Sequence, residues 1–149
     1  MDLISLILSI LALSFSVFIY FYHDRKIKKQ EKLLNDYNIR KNEQEEIENK
    51  KACIRANMIK LNGGKYAMKI YNSGKAEAKN INVQFMDKLK GFYTTENKYS
   101  YKQILPHDGT EFILLATEGH EDSIGLRLSW DDAYKVANEF VQNVNVPKH

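Results

Sequence analysis

Ile124-Gly125-Leu126-Arg127-Leu128-Ser129-Trp130 alternates without a break. Ile124, Leu126, Leu128 and Trp130 fall on one side of an extended chain, with Gly125, Arg127 and Ser129 on the other. Successive side chains of a strand point to opposite faces, so this stretch belongs to an antiparallel sheet with one buried and one wet face. Working outward, residues 65–71 repeat the pattern with Tyr66, Met68 and Ile70, and residues 80–85 repeat it with Ile81, Val83 and Phe85 against amides. Residues 54–61, 100–105 and 111–117 are further strand candidates. Asn62-Gly63-Gly64 and Asn72-Ser73-Gly74 are expected to supply the positive-φ residues of the turns.

The segment after Trp130 reads two ways. Ala133, Val136, Ala137, Phe140, Val141 and Val144 form a helical stripe that Asp131 would cap. Read extended, Phe140, Val144 and Val146 alternate with polar residues, and residues 131–137 become a hairpin loop. The strand is the reading adopted, because it closes a sheet beside 124–130. Six or seven short strands in residues 52–149 then predict a mainly β fold, an immunoglobulin-like antiparallel sandwich of two half-wet sheets.

Residues 1–51 differ in kind. Residues 3–22 carry no charge: sixteen are apolar and four are serine. Twenty helical residues cover about 30 Å, the thickness of a bilayer's hydrocarbon core, where a helix satisfies its own backbone. Met1-Asp2 at the start and Tyr20-Phe21-Tyr22 at the exit do not resemble a cleaved signal peptide. A retained transmembrane helix over 1–23 is expected. Arg25, Lys26, Lys28 and Lys29 follow it, and such residues stay on the cytoplasmic side, which places Met1 and Asp2 outside and the rest within. Ser5, Ser9, Ala12 and Ser16 form a small-residue stripe of the kind that lets membrane helices approach closely.

Residues 24–51 hold nine Lys or Arg and seven Asp or Glu, with no Gly or Pro, a helix-forming composition. Ile27 and Leu34 lie seven apart, as do Gln30 and Tyr37, but Lys41 and Gln44 end the apolar run. A solvated helical stalk and a short parallel coiled coil both fit.

Composition excludes much chemistry. With 149 residues, the chain holds one ordinary domain plus an appendage; one Cys excludes internal disulfides and multi-thiolate metal sites; a net charge of +3 gives no general case for nucleic acid. No phosphate-binding, nucleophile-elbow or zinc-protease motif occurs. Cys53 sits in an apolar strand candidate and reads as a core thiol. His23, His107, His120 and His149 show no metal-ligand spacing, and His120-Glu121-Asp122 reads as a solvated loop. Asp131-Asp132 and Pro106-His107-Asp108-Gly109 read as turns. No catalytic residue, metal or cofactor is expected.

The one stretch with a recognition signal is the polar insertion 88–102. Lys88, Lys90, Phe92, Tyr93, Lys98, Tyr99, Tyr101 and Lys102 interleave basic and aromatic side chains against a single acid, Glu96. Exposed, such residues stack on and steer an anionic partner. Strand-edge lysines and core tyrosines account for the same letters.

Asn72-Ser73-Gly74-Lys75-Ala76-Glu77-Ala78-Lys79-Asn80-Ile81-Asn82-Val83 resembles the strand, Asn-x-Gly, small-residue, Asn-hydrophobic-x-hydrophobic signature of bacterial immunoglobulin-like modules of the CARDB type. Ser129-Trp130-Asp131-Asp132, a loop, and then residues 139–144 resemble the closing hairpin of small bacterial membrane proteins that carry such a domain behind one N-terminal helix. The likeness covers residues 52–146, and the insertion departs from it. It implies a fold and an anchored arrangement, and no catalytic residues.

Together these features lead to a non-enzymatic adaptor. It would sit in the cell membrane by a single pass, present its β domain to the cytoplasm and bind a protein partner. Homo-oligomers through the span and stalk would be compatible with it. The alternative is an extracytoplasmic binding or structural module with inverted topology.

Overall fold

The computed structural model describes residues 3–147, with Ser5 described for its backbone only. The expectations for Met1, Asp2, the Ser5 side chain and His149 lie outside the described residues. The chain divides into two compact units, Met1–Gln44 and Glu45–His149.

A single helix, α1 (Leu3–Asn49), runs through the apolar and the charged sequence without interruption. The absence of Gly and Pro permits this. The Ser14 and Ser16 hydroxyls donate to the Ile10 and Ala12 carbonyls at 2.8 and 2.9 Å, so neither is left unsatisfied among apolar neighbours. Further along, Lys28 pairs with Asp24 at 2.7 Å, one turn back. At the end, the Lys50 and Lys51 amides donate to the Ile47 and Glu48 carbonyls, tightening the last turn. This helix is long and apolar enough to cross a membrane.

Eight strands follow: β1 (Ile54–Lys60), β2 (Lys65–Asn72), β3 (Ala78–Phe85), β4 (Phe92–Tyr93), β5 (Lys98–Ile104), β6 (Gly109–Ala116), β7 (Ser123–Asp131) and β8 (Asn138–Asn145). They form two four-stranded antiparallel sheets, in the orders β1-β2-β6-β4 and β5-β3-β7-β8. Both sheets contribute to one core. Ile54, Met68, Ile70 and Leu114 come from the first, and Ile81, Val83, Leu126 and Leu128 from the second, all essentially inaccessible. The arrangement is sandwich-like, as the alternating strands predict. The closing segment is a strand: Phe140 lies opposite Leu128 and Val144 opposite Ile124, with residues 132–137 as the loop and Asp131, expected in the loop, ending β7 instead.

Asn72 and Asn80, the two asparagines that define the signature, have separate structural jobs. Asn72 is fully buried, and its amide is saturated. Its Oδ1 accepts from the Cys53 and Gly74 amides at 3.0 and 2.9 Å, and its Nδ2 donates to the Ala76 and Ile104 carbonyls at 2.7 and 3.3 Å. Asn80 takes a left-handed φ of 51° where the register of β3 against β7 shifts, and its Nδ2 donates to Asp131 at 2.8 Å. Asparagine tolerates that region better than most residues, which suits it to a bulge.

Several expectations need correction. Gly63 and Gly64 do adopt positive φ, but Asn72, Ser73 and Gly74 do not. Gly74 is there for closeness: a Cβ would stand 2.5 Å from the Cys53 nitrogen and 2.7 Å from the Lys51 oxygen. Cys53 precedes β1 and is half-buried, not a core thiol. The insertion 88–102 is no plain loop, since it contains β4 and the start of β5. His120 is half-buried, its ring 5.1 Å from Phe92 and 5.8 Å from Tyr66.

Candidate interaction surface

The strands divide the residues of the insertion. On β5 the side chains alternate, so Lys98, Ser100 and Lys102 are exposed while Tyr99 and Tyr101 turn toward the core. Tyr99 stacks on Phe112 of β6, centroids 3.9 Å apart, and its hydroxyl bonds that of Thr94. Tyr101 hydrogen-bonds Thr110, and burial raises its phenol above the usual range. Phe92 is buried and meets Tyr66 edge-on at 5.8 Å. Lys88 and Lys90 are exposed between β3 and β4, Lys90 lying 3.6 Å from Glu121. Of the four aromatics, only Tyr93 is exposed. The lysines and rings therefore do not form one interleaved face.

Tyr93 belongs instead to a surface the sequence reading did not isolate. On the outer side of the β1-β2-β6-β4 sheet, Ile59, Ala67 and Ile113 stand in register across three strands. In the next row Lys65, Leu115 and Tyr93 are in register. Ile59, Ile113, Leu115 and Tyr93 are 45, 44, 48 and 66% exposed. Lys65, Tyr93, Thr94, Tyr99, Ile113 and Leu115 line a shallow groove there. The signal was present in Phe112-Ile113-Leu114-Leu115: Phe112 and Leu114 face the core, and Ile113 and Leu115 make the other face apolar too. A strand apolar on both faces is the pattern of a strand covered on both sides.

The acidic and histidine candidates are occupied by structure. Asp131 accepts from the Ala137 amide and from Asn80. Asp132 accepts from the amides of Tyr134, Lys135 and Ala52 at 2.8 to 2.9 Å, tying the β7–β8 loop to the entry of β1. Both carboxyls are held below their ordinary pKa. For Asp131 the chief cause is the Ala137 N–H; for Asp132 burial opposes ionisation, and the N–H donors outweigh it. Among the described residues, no three of His, Cys, Asp and Glu gather closely enough to hold a metal ion.

No family model matches the chain, and no curated protein matches it.

Proposed function

We propose that this protein is a non-enzymatic, membrane-tethered binding module. Its β unit is presented at the cytoplasmic face, and the outer side of the β1-β2-β6-β4 sheet receives an apolar-faced segment of a partner protein. The observation that carries this reading is the apolar outer face of β6, Ile113 and Leu115 with Tyr93 beside them, on a sheet otherwise edged by Lys65, Lys69 and Glu111. An exposed apolar patch with a polar rim is the mark of an interaction site. The anchor is supported by the charge-free run at residues 3–22, and the topology by the four basic residues after it.

The immunoglobulin-like, CARDB-like reading is supported by strand order. β1-β2-β6-β4 over β3-β7-β8 follows the seven-strand constant-type arrangement, with β5 added at the free edge of β3. The Asn72 and Asn80 geometries give the quoted motif a physical purpose.

Reporters at both ends test the topology, and a cytoplasmic C-terminal signal with carbonate-resistant membrane residence is expected. An external C-terminus would favour the inverted arrangement. A photo-crosslinking residue at position 115 should capture a discrete partner in cells that one at position 100 does not. Leu115→Asp should abolish capture of that same partner from a crosslinker at position 93 while leaving the fold intact. Equal capture from 115 and 100 would sink the assignment of the surface.

A further inference from the structure

Ile27, Leu34 and Tyr37 are each more than half exposed in the charged half of α1. They share one seven-residue frame: Ile27, Leu34 and Lys41 at the first core position, a, and Gln30, Tyr37 and Gln44 at the second, d. In that frame the flanking positions carry a consistent charge pattern. The g positions are Lys26, Leu33 and Arg40, and the e positions are Glu31, Asn38 and Glu45.

In a parallel, in-register pair each g residue faces the e residue five places on in the other helix. Lys26 then meets Glu31 of the second copy, and Arg40 meets Glu45. An antiparallel pair would set Lys26 and Arg40 against each other and Glu31 against Glu45, two repulsions in place of two attractions. The other basic residues next to the apolar run, Arg25, Lys28, Lys29 and Lys32, fall at outward positions and do not disturb the seam.

We propose that α1 forms a parallel, in-register dimer with a second copy of this chain along Ile27, Gln30, Leu34 and Tyr37, with Lys26–Glu31 and Arg40–Glu45 pairs fixing the orientation. Lys41 at a core position ends the apolar seam and favours a low oligomer number. Because α1 is unbroken, the same frame runs back to Leu13 and Tyr20 at a, with Ser16 at d between them. The charged half supplies the argument, and the apolar half is in phase with it. The inference goes beyond the proposed binding function and does not depend on what the outer sheet face binds.

Disulfide crosslinking of the full chain in membranes tests it, using single cysteines in a Cys53→Ser background. Ile27→Cys and Leu34→Cys should each crosslink to the same position in the second copy. Both should react on the order of tenfold faster than Lys32→Cys, since core positions face one another and outward positions do not. Glu31→Lys should slow the reaction at position 34, and Lys26→Glu added to it should restore the rate. Two results would overturn the proposal: no excess over position 32, or an excess at only one of the two core positions, as an antiparallel crossing gives. Failure of Lys26→Glu to rescue would overturn the charge-fixed orientation.

Discussion

Gln142 of β8 clasps Ala56 of β1 across the two sheets. Its Oε1 accepts from the Ala56 amide at 3.0 Å, and its Nε2 donates to the Ala56 carbonyl at 2.8 Å. One side-chain amide thus does for the backbone N–H and C=O of one edge residue what a neighbouring strand would do. Beside it the Arg55 guanidinium lies 3.8 Å over the Phe140 ring. At the opposite border of the sheets, Tyr99 on Phe112 and Tyr101 on Thr110 make the corresponding closure.

Gln142→Ala should cost about 1–3 kcal/mol, because it strips both partners from a part-buried peptide group. Gln142→Glu keeps the acceptor and loses the donor, and should fall between. Chemical denaturation of a fragment comprising residues 45–149 gives the values. That fragment is itself expected to be soluble with a β-type circular dichroism spectrum.

Phe140 and Val141 separate by face. Phe140 is half-buried against the core and beneath Arg55, whereas Val141 is 48% exposed. Phe140→Ala should cost roughly 2–3 kcal/mol, below the value for a fully buried ring. Val141→Asp should cost under about 0.5 kcal/mol, as surface changes do. Equal losses in the same denaturation series would contradict the strand register.

Three backbone substitutions form a set. Gly74→Ala puts a methyl group against fixed backbone and should cost more than about 2 kcal/mol. Gly63→Ala meets nothing within 4 Å but is held at φ +72°, so about 1 kcal/mol is expected. Ala137 is an alanine at φ 57°, so Ala137→Gly should stabilise the fragment by about 0.5 kcal/mol, strain relief slightly exceeding the added chain entropy. Thermal midpoints rank the three.

Acid should loosen the β7–β8 loop. The Asp131 and Asp132 carboxyls have lower pKa values folded than unfolded. Their contribution is therefore complete above the unfolded value, near pH 4, and is lost as pH falls through the lower folded value. Denaturation between about pH 6 and 2 should show Asp132→Asn with a shallower acid loss than the parent chain. An unchanged slope would refute the linkage.

The strands were legible where alternation is strict, as at Tyr66, Met68 and Ile70 or Ile124 to Trp130, because one buried face imposes period two. Phe140 was ambiguous because its stretch satisfies both periods, and only pairing with Leu128 decides it. β4 was invisible: two residues carry no period, and its pairing with Leu115 and Ala116 comes from more than twenty residues away. The candidate site was half-legible. Tyr93 was named for the right property, exposure, but Phe92, Tyr99 and Tyr101 are drawn inward by Tyr66, Phe112 and Thr110, distant partners that local composition does not reveal. Asn72 reads as a turn residue by its neighbours, and its burial follows from carbonyls and amides supplied by residues 53, 74, 76 and 104.

If α1 anchors the chain as proposed, molecules are confined to a plane, where even modest expression brings them to high local concentration. Under that crowding, β5 is the strand that would invite another copy to add itself. Lys98 and Lys102 stand exposed on that edge with Ser100 between them. A second β5 laid alongside would bring lysine rows together without acidic residues between them, which is destabilising. The basic residues of the insertion thus disfavour edge-to-edge pairing of β5 between copies.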